Sequence, residues 1–272
     1  MKKRNYTRRQ LAIIVALSAA MLLAAILLNK FLPAGDSEPQ QTVSPAAVVS
    51  ATASPAPTET PDPTLQIATF LQGPKSWEAR REWSGKWGKQ IKDGGSFGGF
   101  GCGLCCMANI YTSFSDYKAS PLDMYDYAKE VSEYEGGGAI DWGYMKGTLQ
   151  AAGFTCDVFR KPKTYKKFQE LIKNSMTSIV VVSSAESQVY WQNTPGHYVT
   201  LFLYDQEKDQ IFLGDSGDPN HNRHWVSLKK IYKSLKTANR WQILLVTAYD
   251  EEMDNFKNES FGGTMVLPDY AK

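Results

Sequence analysis

Cysteine and histidine are both scarce in this sequence. The four cysteines all lie at or beyond position 102, so no N-terminal cysteine is available to carry a lipid. The three histidines all lie beyond position 196. Any chemistry that uses a thiol or an imidazole must therefore come from residues 102–272.

An excess of one charge is also lacking. Residues 65–272 contain 24 basic and 24 acidic side chains, and the net charge of +2 arises from residues 1–64. A balanced domain gives no electrostatic reason to bind the phosphate backbone of nucleic acid. We therefore expect no nucleic-acid partner.

Residues 33–64 lack aromatic and basic side chains altogether. They hold seven of the thirteen prolines and four acidic residues, together with many Ala, Ser and Thr residues. Such a composition cannot bury enough apolar surface to offset the entropy of ordering, so we predict a disordered stalk. All seven tryptophans follow the stalk, and we predict one folded domain over residues 65–250 with a C-terminal extension over 251–272.

The N-terminus supplies a long apolar run. Residues 1–10 contain five basic side chains and no acid, and Leu11–Leu28 is an unbroken run of 18 apolar or small residues. A helix of that length, rising about 1.5 Å per residue, would cover roughly 27 Å of hydrocarbon. The pattern predicts a single membrane anchor over 11–32, with residues 1–10 in the cytoplasm and the folded domain outside the cell. A cleaved signal peptide is the alternative.

The order of the predicted elements indicates the fold class. Residues 102–114 are apolar on nearly every face, which predicts a buried helix. N-cap signals predict three more helices, which follow Ser120, Asp141 and Thr164. β-branched and aromatic runs predict strands at 178–183, 197–204, 210–213 and 242–249, and one further helix from Ser227 to about Lys236. Helices followed by a mainly antiparallel sheet indicate an α+β fold.

Cys102 has the sequence surroundings of a nucleophile. It is the first residue of the predicted buried helix, where the helix dipole and free N–H groups stabilise a thiolate. Gly101 and Gly103 flank it, which leaves room for a substrate carbonyl to approach the sulfur. A buried cysteine at an ordinary helix start is the alternative.

A nucleophilic thiol needs a base and a group that orients the base. His197 begins a strongly predicted strand, and Asp215 closes the next strand. If the two strands form a hairpin, the imidazole and the carboxylate can lie at the same end of the sheet. The order Cys, then His on a strand, then Asp on the following strand predicts a catalytic triad.

These residues resemble the motifs of the papain-like cysteine peptidases, and within them the bacteriocin-processing, double-glycine-leader or C39-like type. The resemblance runs from about Leu71 to Tyr249 and rests on three motifs: Gly101-Cys102-Gly103 followed by Ala108, then Gly196-His197-Tyr198-Val199, then a strand that ends at Asp215. It implies a papain-like fold with N-terminal helices packed on the sheet. It also implies Cys102 as nucleophile, His197 as general base and acid, and Asp215 as the group that orients the imidazole.

The resemblance also implies an oxyanion-hole glutamine upstream of the nucleophile. The position six residues before Cys102, where relatives usually carry this glutamine, is Ser96. Gln72 opens a Gln-x-x-x-x-Trp segment that resembles many relatives, and Gln90 is the reserve candidate. We therefore expect Gln72 to supply the second oxyanion donor.

The implied function is an extracellular, membrane-anchored cysteine peptidase that cleaves an amide bond of a peptide or cell-wall peptide. Two alternatives share the fold. One is a peptidoglycan amidase or endopeptidase of the NlpC or CHAP sort, and the other is a catalytically inactive surface-binding domain. The residues leave the oligomeric state and the substrate open.

Other chemistries of the cysteines are weaker interpretations. Cys102 and Cys105 form a C-x-x-C motif, but a thioredoxin-like fold needs a βαβ segment before it, and here the approach is Gly-rich. A zinc site is disfavoured because helical spacing points adjacent cysteines apart. We therefore interpret Cys105, Cys106 and Cys156 as core residues and expect neither a metal nor a cofactor.

Two segments keep both a functional and a packing interpretation. Residues 215–224 are rich in oxygen and nitrogen ligands, but their spacing fits no calcium loop and favours a polar loop at the mouth of the cleft. Trp77, Trp83 and Trp87 could line a peptide or glycan groove, although buried packing is the commoner role of tryptophan.

Overall fold

A computed structural model describes residues 62–259 and 265–266 of the chain. The predicted cytoplasmic tip 1–10, the predicted anchor 11–32 and the predicted stalk up to residue 61 lie outside the described residues. Within the described part, no helix is both long enough and apolar enough to cross a membrane. The last three stalk residues start a short 3-10 helix, Pro63–Gln66, whose N-terminus Asp62 caps.

Seven α-helices and ten strands make up the described part of the chain. The helices are α1 (Pro74–Glu78), α2 (Phe97–Phe100), α3 (Cys102–Phe114), α4 (Pro121–Val131), α5 (Trp142–Ala151), α6 (Tyr165–Lys173) and α7 (Leu228–Ser234). The strands are β1 (Ser84–Gly85), β2 (Ile91–Lys92), β3 (Gly95–Ser96), β4 (Ala152–Phe159), β5 (Thr177–Val182), β6 (His197–Asp205), β7 (Gln210–Gly214), β8 (His224–Ser227), β9 (Ile243–Asp254) and β10 (Met265–Val266).

The predicted helix caps are present. Ser120 and Asp123 form a reciprocal capping box at the start of α4, with N–H···O distances of 3.2 and 2.7 Å. Asp141 accepts from the N–H of Gly143 at 3.2 Å at the start of α5, and Thr164 caps α6 in the same way. These side chains satisfy N–H groups that have no partner inside the helix. The three helices therefore begin where their N-cap residues predict.

A six-stranded antiparallel sheet forms the second layer, with the order β4-β9-β5-β6-β7-β8. The α+β prediction is therefore confirmed. Two strands of the sheet, β4 and the four-residue β8, have no counterpart among the strands that the sequence predicts. Both are edge strands of the sheet. Such a strand forms backbone hydrogen bonds to a neighbouring strand on one side only, and its sequence shows a weak apolar pattern.

The sheet has a separate hydrophobic core on each face. Because side chains alternate along a strand, neighbouring residues contribute to different cores. The face toward α3 carries Ile179, Val181, Tyr198, Leu244 and Val246. The opposite face, which α6 and α7 cover, carries Val180, Val182, Val199, Leu201, Ile243 and Leu245. A sheet buried on both faces explains why its central strands read as continuous apolar runs.

Helix α3 is the buried helix that its composition predicts, since every residue from Cys102 to Thr112 is buried. Asn109 lies at its centre and is fully buried. Its Oδ1 accepts from the N–H of Phe70 at 2.7 Å, and its Nδ2 donates to Thr200 Oγ1 at 3.1 Å. One amide thus ties the segment before α1 and strand β6 to the helix that carries Cys102. A buried amide left without partners costs about 1–3 kcal/mol, so this link is strongly specified.

Two of the three tryptophans in the aromatic N-terminal segment are buried in the core and do not line a groove. Trp83 and Trp87 are buried and meet Phe70 edge to face, with ring centroids 5.9 and 5.8 Å apart. Trp87 also donates from Nε1 to the carbonyl of Leu71 at 2.7 Å. Trp77 is partly exposed, with the Lys89 ammonium 4.6 Å from its ring centroid. The aromatic cluster therefore anchors the chain next to Gln72.

The chain beyond residue 250 continues the fold. Strand β9 runs through that position to Asp254, and β10 pairs antiparallel with β1. Buried Asp254 accepts from the hydroxyls of Tyr111 and Tyr249, both at 2.9 Å. Part of the predicted extension 251–272 is thus continuous with the sheet.

Candidate active site

Cys102 lies at the first turn of α3 and is nearly buried, with 8% of its surface exposed. Its thiol donates a hydrogen bond to the carbonyl oxygen of Phe100, with Sγ and O 3.9 Å apart. The flanking glycines serve packing: a Cβ on Gly101 would lie 2.5 Å from the Phe97 ring, and a Cβ on Gly103 would lie 2.6 Å from an Ile140 methyl group. The sequence suggests that these glycines leave room for a substrate. In the structure they instead leave room for Phe97 and Ile140, which lets α3 start deep in the core.

His197 begins strand β6 and faces Cys102. It pairs with Val182 of β5, which fixes its backbone, and its Nε2 lies 2.7 Å from Asp215 Oδ1. Because Nε2 is engaged by Asp215, Nδ1 is the ring nitrogen left to face the Cys102 sulfur, and the two side chains interact electrostatically. The hairpin of β6 and β7 brings His197 and Asp215 to one end of the sheet, as the sequence order suggests.

Asp215 is a fully buried carboxylate at the end of β7. Besides His197, it accepts from the N–H groups of Gly217 at 3.0 Å and Asp218 at 3.2 Å, and from Trp191 Nε1 at 2.9 Å. Burial raises the pKa of this carboxyl, but the charge of His197 and the hydrogen bonds outweigh burial and hold the pKa well below its usual range. Asp215 is therefore a permanent negative charge behind the imidazole.

The charge of Asp215 sets the protonation of His197. Burial lowers the pKa of His197, but the charge of Asp215 and the hydrogen bond to it act the other way and raise the pKa to about 10. Burial likewise raises the pKa of Cys102, and the hydrogen bond and charge of His197 outweigh it, so the pKa of this thiol is lowered. Both shifts favour a Cys102 thiolate paired with a His197 imidazolium.

The other cysteines have the opposite electrostatics. All four cysteines are free and buried. Burial raises the pKa of Cys105 and of Cys106 well above the usual value for a thiol, and raises that of Cys156 to about 12. These three thiols stay protonated and inert, as expected of core residues.

Gln72 is held beside the triad by a residue that the sequence did not single out. Its Oε1 accepts from Ser216 Oγ at 2.7 Å, its backbone N–H donates to the Ser216 carbonyl at 2.9 Å, and its Nε2 donates to the carbonyl of Gly98 at 3.0 Å. Because Oε1 is occupied by the serine, the amide N–H groups point the other way, and one of them stays available. Gln90, the reserve candidate, forms backbone bonds with Trp87 and Phe97.

Three side chains near Asp215 were missed from the sequence: Trp191, Ser216 and His221. Trp191 lies in the polar loop between β5 and β6, 24 residues before its partner Asp215, and nothing local marks it. Nδ1 of His221 lies 3.4 Å from Asp215 Oδ2, and its ring stacks on Tyr190. Ser216 directly follows Asp215, and that adjacency was the signal available to find it.

The 215–224 segment is a polar loop that packs on the N-terminal segment. Asn222 accepts from the N–H of Asp215 at 3.1 Å, and its amide donates to the carbonyl of Thr69 at 3.1 Å. Among the described residues, no group of three or more His, Cys, Asp or Glu side chains is placed to hold a metal ion. The loop therefore fixes Asp215 and Ser216 relative to Gln72.

Comparison with known proteins places this geometry in a family. A sequence model described as phytochelatin synthase matches residues 107–242, which is half of the chain. The chain belongs to the phytochelatin synthase family. This family is part of the papain-like cysteine peptidase superfamily, so the predicted papain-like relationship is confirmed. The matched region includes His197 and Asp215 and begins five residues after Cys102.

Solved structures with a similar fold include two peptidase domains. One is the peptidase domain of Streptococcus ComA, a bi-functional ABC transporter involved in a quorum sensing pathway, with 16% identity and a TM-score of 0.37 over 54% of this chain and 90% of that one. The other is described as a C39-like peptidase from Bacillus anthracis, with 12% identity and a TM-score of 0.35 over 55% of this chain and 90% of that one. No curated protein sequence matches this chain significantly.

The thiolate of this phytochelatin synthase family member can be measured without a substrate. Iodoacetamide should label Cys102 at pH 7 about tenfold faster than Cys105, Cys106 or Cys156, because the pKa of Cys102 is lowered and those of the other three are raised. The rate should fall as the pH drops through the lowered pKa of Cys102. Peptide mass spectrometry of the labelled full-length chain, at a series of pH values, measures each site.

His197→Ala is the matched variant for this experiment, since it removes the partner charge and leaves the helix start intact. Selective labelling of Cys102 should then move to the alkaline range of an ordinary thiol. Equal labelling of the four cysteines in the wild-type chain would show that no ion pair exists.

Proposed function

We propose that this chain is a thiol enzyme that cleaves an amide bond through an acyl-enzyme formed on Cys102. The observation that carries the proposal is the buried pair of His197 and Asp215, with Nε2 and Oδ1 2.7 Å apart, whose imidazole interacts electrostatically with the sulfur of Cys102. Nucleophilic catalysis by cysteine requires a thiol, an imidazole that acts as its base and a group that orients the imidazole. Here the thiol also lies at the start of a helix.

The first half-reaction forms the acyl-enzyme. The Cys102 thiolate attacks the carbonyl carbon of the substrate, and a carbon–sulfur bond forms. The resulting oxyanion accepts from the Cys102 N–H, which has no acceptor inside the helix, and from the free N–H of the Gln72 side chain. His197 gives its Nδ1 proton to the leaving nitrogen, and the carbon–nitrogen bond breaks.

The second half-reaction returns the enzyme to its starting state. Neutral His197 takes a proton from water as the oxygen attacks the thioester carbon, and the carbon–sulfur bond then breaks to restore the Cys102 thiolate. Asp215 stays ionised throughout and holds Nε2, so the ring always presents Nδ1 to the sulfur. The buried donors around Asp215 support this role because they keep its carboxylate in one orientation.

Transfer of the acyl group to an amine is a second candidate function. The family is named for a synthase, that is, an enzyme that forms a bond rather than one that only hydrolyses. The same acyl-enzyme serves both reactions, and the acceptor, water or an amine, decides the product. The geometry of Cys102 and His197 supports either outcome.

We also propose that the domain acts outside the cell, tethered by residues 11–32. The long apolar run and the basic residues that precede it support this location. Peptides or the peptides of a cell wall are the substrates that such a location offers. A cell-wall amidase is an alternative, and cleavage of peptidoglycan rather than of other peptides would distinguish it from a peptidase. An inactive binding domain is the other alternative, and the absence of turnover would distinguish it from both enzymes.

Turnover can be tested with the full-length chain in a mild detergent. We expect cleavage of a mixed peptide library, or of purified peptidoglycan, and loss of at least about a thousandfold in Cys102→Ala, because no other ionised thiol can replace the nucleophile. Mass spectrometry of new N-termini and released fragments measures both substrates in parallel.

Cys156→Ala is the matched control for this loss, since it removes a buried thiol away from the triad. Cleavage that survives in Cys102→Ala would contradict the mechanism. A wild-type chain that cleaves neither polymer would favour the surface-binding alternative.

The oxyanion hole can be tested by comparing two reagents on one sulfur. Acylation by p-nitrophenyl acetate passes through an oxyanion, whereas alkylation by iodoacetamide does not. Gln72→Ala should slow acylation about a hundredfold and Ser216→Ala about tenfold, with alkylation little changed, because the serine only orients the amide. Stopped-flow release of p-nitrophenol gives the first rate. If Ser216→Ala slows both reactions equally, the serine does not act through Gln72.

A further inference from the structure

Three pockets adjoin one another along the 215–224 loop. The first, of about 260 Å³, is lined by His197, Asp215 and Gly217 among others. The second, of about 520 Å³, shares Gly217 with the first. The third, of about 540 Å³, shares Arg81 and Pro219 with the second. Shared walls make these pockets one groove that begins at the triad histidine.

The groove leaves the triad on the His197 side. Gly217 lies against the Cε1–Nε2 edge of the imidazole, since a Cβ there would be 2.9 Å from Cε1 and 3.0 Å from Nε2, and Asp215 and Asp218 also line this first pocket. The opposite wall of the middle pocket begins at Gly73 and Pro74, immediately after Gln72. The start of the groove is thus bounded by the proton donor on one side and by the residue that follows the oxyanion glutamine on the other.

The far end of the groove is positively charged. Arg80, Arg81 and Arg223 line the third pocket, and Glu82 is the acidic residue in its wall. Arg80 and Arg81 are exposed, and neither forms an ion pair with another described residue. The Arg223 guanidinium already donates to Ile67 O, Thr69 Oγ1 and Thr64 O. The guanidinium groups of Arg80 and Arg81 are therefore the ones that can bind an anion there.

We propose that this groove binds the amine half of the reaction and selects amines that carry a carboxylate. The inference rests on the function proposed above, in which His197 gives its proton to the leaving nitrogen. That nitrogen must lie against the imidazole, so the groove that starts there receives the amine half. Arg81 lines the middle pocket together with Pro74 and Pro219, and Arg80 lines the third pocket beyond it, which fits a peptide whose second or third residue is acidic.

The same groove would select an acceptor when the acyl group is transferred. The acceptor nitrogen attacks the thioester carbon, His197 takes a proton from that nitrogen, and the carbon–sulfur bond breaks to restore the Cys102 thiolate. Because formation and aminolysis of the acyl-enzyme pass through the same transition state in opposite directions, leaving group and acceptor occupy the same site. Acceptor preference is therefore a direct measure of the groove.

The experiment uses the full-length chain acetylated on Cys102 by p-nitrophenyl acetate. The acceptors are Gly-Glu-NH₂, Gly-Gly-Glu-NH₂, and the corresponding Gln and Lys peptides, and liquid chromatography with mass spectrometry measures N-acetyl peptide against acetate. At low salt, at least one Glu acceptor should be captured about five- to tenfold better than its Gln counterpart, and high salt should reduce the difference.

Arg80→Gln/Arg81→Gln should abolish the preference and leave the release of p-nitrophenol unchanged. Lys166→Gln/Lys167→Gln is the matched control, because it removes two exposed charges from α6 on the other face of the sheet. Equal capture of Glu and Gln peptides, or a preference that survives in the arginine variant, would overturn the inference. Failure of Cys102 to form the acetyl-enzyme would instead overturn the proposed function, so the two results are distinguishable.

Discussion

The site depends on one buried charge, the carboxylate of Asp215. A carboxylate removed from water is costly unless its oxygens are fully used, and here Trp191, His197 and two backbone N–H groups use them. The negative charge of Asp215 favours a proton on His197. The positive charge of protonated His197 in turn favours a thiolate on Cys102. The lowered pKa of Cys102 thus depends on where the loop after β7 places a carboxylate, and α3 adds its dipole.

The fold brings these groups together through a few buried polar contacts. Asn109 ties α3 to the segment that carries Gln72 and to strand β6 that carries His197. Ser216 ties Gln72 to the residue after Asp215. Because these links are buried and bonded at both ends, Cys102, His197 and Gln72 cannot shift independently. Such preorganisation is what electrostatic catalysis requires.

The sequence predicted those residues of the site that their immediate neighbours in the chain identify. A helix start at Cys102, a strand start at His197 and a strand end at Asp215 are each marked by their neighbours, and so are the caps at Ser120 and Asp141. Contacts between residues distant in the chain could not be reached in this way. Trp191 and Ser216 find their partners only once the sheet has formed, and the edge strands β4 and β8 carry weak apolar patterns because only part of each strand is buried.

The protonation state of His197 tests the central claim most directly. Nitrogen-15 NMR of the ring, on the full-length chain labelled at histidine, reports both nitrogens separately. We predict an imidazolium at pH 7 that loses its proton only near pH 10, and a much lower pKa in Asp215→Asn, since the buried charge that holds the proton is then gone. A His197 ring that is neutral at pH 7 in the wild-type chain would contradict the thiolate–imidazolium account.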